Sequence, residues 1–448
     1  MMQLTPPFLS VFDPDVSQEG TVDPLTLQAL AERLAERIFP WITSRMSRIR
    51  FVTAICAGSV VCEAFEDEMA ADGVTPPWLV FEWHVVEALL RQRLVMETDG
   101  GWGRGLPGFR KVKAVVEGNH RLGATSYLKT PTVFGFTGVY RRIAFGSMLV
   151  DDEIVISGEG GSLLEAWEED KGLSGFRLGT GEGGSLRREM EKAVRDALKK
   201  GFTDRPGSWP SWEKVADVFR PDQPGRRERQ FLLRSLSGLD GRGNQWDPEA
   251  LAMRHELLAA LVDGGVSVDR ASEPAFFRML AGKASDPLRL RLNAIDAYEG
   301  LCALLTDGFF LILALSTERE ERPVDEKTFS AERLAGELAR DLPGALEKVE
   351  RAFGELKSPE AVEGLLQRYS QVKDPGGLFR SILEHHHTAQ ENKPPDGKRP
   401  WVETVKGGVV ARPAYRREAT RDRNTGYVHD YRSSSASSFL RDLQAVPS

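Results

Sequence analysis

The residues that most invite a chemical interpretation are an acid and three adjacent histidines, Glu384 to His387. Successive side chains on a helix turn by about 100°, so three neighbouring imidazoles cannot all face one metal ion. Glu384 and His387 are one turn apart and can share a face, which gives a metal site as one interpretation. The run lacks the HExxH spacing of zinc hydrolases. The alternative is polar decoration near a helix end, where histidine suits the helix dipole.

Two further patterns match fragments of known motifs. Gly179, Gly181 and Gly184 have GxGxxG spacing, but a dinucleotide-binding turn needs a buried strand before it, and the preceding segment is broken by glycines. We interpret it as a loop that enters a helix. Glu355 and Lys357 match half of an ExK nuclease site, which needs more carboxylates around its metal ion. With no GxxxxGK[ST], GxSxG or CxxC motif in the sequence, we predict no catalytic residues, no bound metal and no cofactor.

Composition sets limits on the class of protein. The net charge of -7 excludes a generally basic nucleic-acid-coating protein, so any polyanion site must be a local patch. Three cysteines, Cys56, Cys62 and Cys302, give neither a disulfide framework nor zinc-ligand spacing. The most apolar stretch, 301–316, is shorter than the about 20 residues that a membrane span needs. Without a signal-peptide pattern at the N-terminus, we expect a cytoplasmic protein that contacts no membrane.

A local basic patch lies between residues 102 and 142. The segment holds eight Lys or Arg against one acid, Glu117, and aromatic residues such as Phe109 and Tyr127 are interleaved. Cations beside aromatic rings suit phosphate contact and base stacking. The predicted nucleic-acid-binding residues of this segment are Arg104, Arg110, Lys111, Lys113, Arg121, Lys129, Arg141 and Arg142. Residues 151–170, with eight acids and no Lys or Arg, argue against DNA at the adjoining surface.

Residues 133–167 have the order of a winged-helix domain. Ile143 lies on the apolar face of a predicted helix. Ile154 and Ile156 then alternate as in a strand, and a second amphipathic helix follows. Arg141 and Arg142 would then lie on the recognition helix, which in this domain type enters the major groove. Winged helices also dock onto proteins, so both kinds of partner stay open.

Two other segments are rich in arginine, one at residues 45–50 and one after residue 391. In a helix predicted from Thr43, Arg45, Arg48 and Arg50 lie in the first turns, the unfavourable end for the dipole, so they either meet an external partner or are solvated. After residue 391 the sequence becomes rich in Pro, Gly, Arg and Ser. Flexible basic segments bind nucleic acid or acidic partners, and we include Arg416 and Arg417 among the predicted contacts. A solvated tail partly packed on the rest is the alternative.

The predicted fold is mainly α. Helix starts with a cap residue before proline occur at residues 247–248, 286–287, 358–359 and 374–375. The segment 288–316 has the apolar spacing of a buried central helix. We predict a helical and winged-helix-like N-terminal domain over 1–201, a linker over 202–245, a C-terminal helical bundle over 246–390 and a basic Arg/Tyr/Ser-rich tail over 391–448.

Two segments carry a resemblance to a group of proteins. YLKTPTVFGFTGVYRRIA at 127–144 and HTAQENKPPDGKRPW at 387–401 are similar to segments of large helical proteins encoded beside helicases or nucleases in bacterial antiphage-defence loci. The resemblance covers about a tenth of the chain and brings no catalytic residues with it. It implies a role that depends on a partner.

These observations give one hypothesis and two alternatives. The hypothesis is a non-catalytic accessory subunit of a bacterial defence complex, which contacts nucleic acid, most simply DNA, while a partner ATPase or nuclease supplies the chemistry. The first alternative is a protein-interaction scaffold without nucleic-acid binding. The second is a metal-dependent hydrolase built around Glu384 and His387.

Overall fold

The computed structural model describes residues 23–96, 105–238, 248–264, 268–318, 322–394, 396–418 and 422–445. Within these ranges the chain is mainly helical, as predicted. The helices are α1 Gln28–Ile38, α2 Phe51–Cys62, α3 Pro77–Met96, α4 Phe109–Glu117, α5 Pro131–Phe134, α6 Phe136–Gly146, α7 Gly158–Lys171, α8 Gly181–Lys200, α9 Ser211–Phe219, α10 Arg226–Ser237, α11 Pro248–Gly264, α12 Glu273–Ala281, α13 Asp286–Glu318, α14 Glu326–Ser330, α15 Arg333–Glu355, α16 Glu363–Tyr369, α17 Pro375–Glu391 and α18 Ser433–Asp442. Two strands, β1 Val402–Val405 and β2 Gly408–Ala411, form an antiparallel hairpin.

The described residues form two compact units, each built from segments distant in sequence. The first unit comprises 23–35 and 270–431, and the second comprises 36–269 and 432–445. The segment 202–245, which we predicted to be a linker, contains α9 and α10 in its described part. Both helices bury apolar side chains in the second unit, among them Trp212 and Leu232. In the described part, 202–238, proline and glycine mark helix ends inside a unit, so this part is not an extended connection.

A single long helix forms the core of the first unit. Helix α13 buries a nearly continuous series of apolar side chains and packs against α12, α15 and α17. It is the one helix among the described residues that is long and apolar enough to cross a membrane, and 78% of that apolar window is buried in the protein. The predicted buried central helix is therefore confirmed.

The segment 391–431, predicted to be part of a basic tail, is folded into the first unit where it is described. The hairpin β1–β2 packs on α13, and the indole of Trp401 stacks on the ring of Tyr415 with centroids 4.4 Å apart. Tyr427 and Tyr431 are buried. The aromatic residues that alternate with the arginines therefore belong to the core, which the composition of the segment concealed.

Helix α3 is the buried centre of the second unit. Phe81 and Leu89 have the spacing of one helical face in the sequence, yet every residue from Leu79 to Leu90 is buried. The reason is that α2, α4, α8 and α9 pack around α3 on several sides. Two carboxylic acids, Glu82 and Glu87, are thereby enclosed in the core.

The arginines before α2 have partners within the second unit. The helix begins at Phe51, so these residues precede it. The Arg50 guanidinium, 3% exposed as a residue, lies 2.9 Å from both carboxylate oxygens of Glu228. Arg48 lies 2.5 Å from a carboxylate oxygen of Asp442. The expectation that Arg48 and Arg50 are solvated or meet an external partner is therefore wrong, because long-range pairing is invisible in local sequence.

We expect Arg50→Leu to lower the free energy of unfolding by about 3–5 kcal/mol, because Glu228 would keep a buried charge without its partner. The double variant Arg50→Leu/Glu228→Leu should regain part of that loss, since no buried charge remains. Urea unfolding followed by circular dichroism measures both. A double variant that is no more stable than Arg50→Leu would contradict this account of the pair.

Candidate nucleic-acid interface

Helix α4 presents unpaired cations to solvent. Val112 is buried, whereas Arg110 and Lys111 are exposed. Lys113 lies 3.6 Å from Glu117 in a partly exposed pair, which is worth little in water. No acid among the described residues pairs with Arg110 or Lys111. These two charges are therefore available to an external anion.

The loop that leads into α4 is held close to the body of the second unit. Gly108 has φ of +68° at the start of the helix, and a Cβ there would meet the Tyr127 ring at 3.0 Å. A Cβ on Gly105, at φ of +90°, would collide with the Ser47 side chain. Only glycine combines these dihedrals with such close approach. These glycines therefore bring the loop before α4 against Ser47, Arg48, Tyr127 and Leu128.

An exposed aromatic residue lies within this region. Phe134 ends the short helix α5 and is 37% exposed, next to the exposed Val133. The guanidinium carbon of Arg45 lies 4.7 Å from the Phe134 ring centroid, a cation–π arrangement. Lys129 is exposed nearby in sequence, without a carboxylate partner among the described residues. We call Arg45, Arg110, Lys111, Lys129 and Phe134 the basic–aromatic face.

A buried carboxylate holds the 127–137 segment in place. Glu82 on α3 accepts hydrogen bonds from the Tyr127 hydroxyl at 2.7 Å and from the backbone amides of Phe136 and Thr137 at 3.1 and 2.9 Å. The two amides belong to the first turn of α6, which lacks acceptors within its own helix. Burial raises the pKa of Glu82 to about 7, whereas the three donors favour the carboxylate.

Three cations of the predicted set have acceptors inside the second unit. The guanidinium groups of Arg121 and Arg141 donate to backbone carbonyls, and that of Arg142 lies 2.8 Å from the Glu36 carboxylate. Arg104 lies outside the described residues. The eight predicted cations therefore do not form one binding surface. The basic–aromatic face keeps three of them, Arg110, Lys111 and Lys129, and adds Arg45, which lies outside the predicted segment.

The predicted tail cations belong to the first unit. Arg416 and Arg417 are both exposed. The Arg417 guanidinium carbon lies 3.7 Å from the centroid of the Phe310 ring, and the Arg417 backbone amide donates to the Thr317 hydroxyl. Packing on an aromatic ring fixes this side chain on the surface of the first unit.

The predicted winged-helix segment shows its two helices but not its strand. Residues 150 and 156 pair in one isolated antiparallel bridge between α6 and α7, and no strand is present among the described residues there. Several acids of the following segment have partners. Glu165 pairs with Arg177 at 2.5 Å and Glu169 pairs with Arg227 at 2.6 Å. These pairs partly neutralise the acidic surface that argued against DNA.

The histidine run is mostly buried in the first unit. The Nδ1 atom of His385 lies 2.9 Å from the Tyr369 hydroxyl. His386 lies with Nδ1 2.8 Å from the carbonyl of Pro24, and its Nε2 accepts from the Trp401 amide at 2.8 Å. Burial lowers the pKa of His386 to about 3. Both ring nitrogens of this neutral histidine are thus engaged in holding the chain together.

Glu384 and His387 gain no third ligand. Glu384 is exposed and lies 4.0 Å from the Arg368 guanidinium. Among the described residues, the one group of three side chains with metal-ligand atoms in mutual reach is Glu299, Cys302 and His429 in the first unit. The metal interpretation of the histidine run therefore has no geometric support.

That group, which sequence reasoning missed, is a saturated hydrogen-bond network. Glu299 accepts from the Tyr431 hydroxyl at 2.7 Å, from Nδ1 of His429 at 2.6 Å, and from the backbone amides of Val428 and His429 at 2.5 and 3.2 Å. A carboxylate has about four acceptor positions. Burial raises the pKa of the Cys302 thiol, the opposite of what a metal-binding thiolate needs. The network fastens 428–431 to α13.

Comparisons with known proteins assign no family to this chain. No family model matches the sequence, and no curated protein or solved structure matches it at a significant level. The basic–aromatic face therefore stands on its own geometry and charge.

The pKa of Glu82, raised by burial, predicts a pH-dependent contribution to stability. Because the folded-state pKa lies above the ordinary value of 4.5, the contribution is fully present below pH 4.5 and is lost as the pH rises to about 7. At about 1.4 kcal/mol per pKa unit, the contribution of Glu82 to the free energy of unfolding changes by roughly 3 kcal/mol over this range.

We therefore expect the stability of the wild type relative to Glu82→Gln to fall between pH 4.5 and about 7. Urea unfolding of both proteins across that range measures the difference, in which contributions from other titrating groups cancel. A difference that is constant with pH would show that Glu82 does not titrate in this window.

Proposed function

We propose that this chain is a non-catalytic accessory subunit that binds nucleic acid through the basic–aromatic face of its second unit. The observation that carries the proposal is the exposed Arg45–Phe134 contact, together with the unpaired cations Arg110, Lys111 and Lys129 of the same unit, in a protein of net charge -7. An acidic protein that keeps cations unpaired on one surface has a local preference for polyanions.

The same geometry favours an unpaired strand over a duplex. Stacking of bases on aromatic rings needs bases that are exposed, and it accompanies phosphate contacts in single-strand binding sites. The Phe134 ring has Arg45 on one side and is partly exposed to solvent. Arg110, Lys111 and Lys129 supply the charge for the backbone of the strand.

The winged-helix interpretation of 133–167 stays within this proposal as a second route to DNA. Helix α6 would be the recognition helix, with Arg141 and Arg142 toward the groove. Those two side chains would first have to leave the carbonyl of Asp152 and the carboxylate of Glu36. The basic–aromatic face has no such cost for Arg110 and Lys111, so we prefer it.

The accessory role and the setting are part of the proposal. The sequence has no phosphate-binding GxxxxGK[ST] loop, so a partner ATPase or nuclease would supply the chemistry. The resemblance of 127–144 to proteins of bacterial antiphage-defence loci supports the proposal that this partnership operates in the cytoplasm of a bacterium. The same segment contains Lys129 and Phe134 of the basic–aromatic face, so the resemblance overlaps the proposed binding surface.

We expect Arg110→Glu/Lys111→Glu to weaken binding of a fluorescent single-stranded oligonucleotide by about tenfold or more, because two phosphate contacts become repulsive. Fluorescence anisotropy on the full-length protein measures the dissociation constant.

Phe134→Leu should weaken single-strand binding by about 1–3 kcal/mol, the value of one base stack, and leave duplex binding unchanged.

The matched control is Lys199→Glu/Lys200→Glu, two adjacent lysines at the exposed end of α8 in the same unit. It changes the net charge by the same amount and should leave affinity within about twofold. Equal losses in the two double variants would mean that only overall charge matters. Unchanged binding in Arg110→Glu/Lys111→Glu would remove the basic–aromatic face as the site, and absence of any binding would leave the scaffold alternative.

A further inference from the structure

The first unit contains a cleft of about 1040 Å³ between α13 and α15, with residues 423–427 as its third wall. The lining residues of α13, from Asn293 to Leu304, recur at helical spacing on one face, and so do those of α15. Ligand pockets usually have about 300–1,000 Å³ and mostly apolar walls. This cleft has the size of a small-molecule site but a polar, charged lining, which suits a charged ligand.

The charges of the cleft leave a positive excess on α15. Asp341 lies 3.0 Å from the Arg340 guanidinium and 2.5 Å from that of Arg423, so one carboxylate serves two cations. Lys348 and Arg351 are exposed, one turn apart, and no acid among the described residues pairs with either. Cations at this spacing point to the same side of a helix, and here that side is the cleft.

The other acids of the cleft are already engaged. Asp296 lies 2.8 Å from the Arg278 guanidinium and 3.0 Å from the Tyr427 hydroxyl, which donates to it. Glu299 is saturated by the network that holds 428–431. Glu355, exposed at the far end of α15, is the remaining acid in the lining. The balance favours an anion near Lys348 and Arg351.

Two glycines in the cleft lining leave space that a larger side chain would occupy. Gly300 on α13 and Gly344 on α15 line the cleft, and a Cβ at either would meet no atom of the described residues within 4 Å. Helix packing therefore does not require glycine there, although glycine costs a helix about 1 kcal/mol relative to alanine. A larger side chain at either position would project into the cleft. Gly336, on the same helix as Gly344, is also open but does not line the cleft.

The third wall is fixed before any ligand arrives. The Asn424 amide donates to Asp307 at 2.9 Å, and the Val428 amide donates to Glu299. Asn424 and Thr425 are exposed in the cleft and add neutral hydrogen-bonding groups. A preorganised polar wall lowers the entropy cost of binding.

We propose that this cleft binds a phosphorylated ligand of nucleotide size, with Lys348 and Arg351 on its phosphates. The α13 wall runs from residue 293 to residue 304, a distance of 11 steps or about 16 Å along the helix, which fits a mononucleotide. Phosphate offers several charged acceptor oxygens to an arginine and a lysine on adjacent turns. The site is separate from the basic–aromatic face and does not depend on the function proposed for it.

Isothermal titration calorimetry of the full-length protein with ATP, inorganic pyrophosphate and adenosine tests the proposal. ATP should bind, pyrophosphate should bind more weakly, and adenosine should give no heat. Lys348→Glu/Arg351→Glu should weaken ATP binding by about tenfold or more, while Lys327→Glu/Lys373→Glu, two exposed lysines of the same unit outside the cleft, should not change it.

Two matched glycine variants distinguish loss of the binding site from misfolding, because both place leucine on α15 but only one of them changes the cleft. Gly344→Leu should weaken ATP binding by about tenfold or more, because its side chain enters the cleft one turn from Lys348. Gly336→Leu should retain ATP binding, and both variants should raise the melting temperature because leucine favours helix. Full ATP affinity in Gly344→Leu, equal losses in the two charge variants, or no heat with ATP and pyrophosphate at about 1 mM would each overturn the proposal. Single-strand binding should be unchanged in every one of these variants, which separates this site from the proposed function.

Discussion

The surface on which the proposed function depends is held by one buried carboxylate. Glu82 sits in the centre of the apolar helix α3 and takes hydrogen bonds from Tyr127 and from the first turn of α6. A buried carboxylate is costly unless its acceptors are satisfied, so this contact strongly specifies how 127–137 lies on the core. Phe134 and Lys129 lie within the segment that it fixes. Glu82 therefore helps to fix the position of Phe134 and Lys129 on the core.

Several arginines of the described residues pair with acids inside their own unit, so they are not free to bind an external anion. Arg50 neutralises the buried Glu228, and Arg142 pairs with Glu36. In the first unit, Arg423 pairs with Asp341. Buried or partly buried pairs of this kind serve packing and specificity. Among the exposed cations without an acid partner are Arg110 and Lys111 on α4 of the second unit and Lys348 and Arg351 on α15 of the first.

The local elements of the fold were readable from the sequence, whereas the long-range pairs were not. A cap residue before proline correctly marks the start of α13 at Asp286 and of α17, where the Asp374 side chain accepts from the Gly377 amide at 2.7 Å. Helical spacing correctly predicts that α13 is buried. Cap chemistry and periodicity act over a few residues, so they leave a signal in local sequence.

The candidate sites were only partly predictable for the same reason. Arg110, Lys111 and Lys129 were identified by charge, but the role of Arg45 depends on Phe134, 89 residues later in the chain. Two acids in the apolar run of α3, Glu82 and Glu87, were the available signal for a buried polar anchor. The linker interpretation of 202–245 overlooked α9 and α10, because proline and glycine occur both in linkers and at the ends of packed helices.

The measurement that tests the central claim most directly is the salt dependence of binding between the purified wild-type protein and fluorescent single-stranded DNA, duplex DNA and RNA. Contact of four cations with phosphates predicts that the logarithm of the association constant falls linearly with the logarithm of salt concentration, with a slope near about -3 for single strands. Single strands should bind more tightly than duplex at every salt concentration. No binding at low salt, or binding that does not change with salt, would contradict the proposal that this protein contacts nucleic acid through its basic–aromatic face.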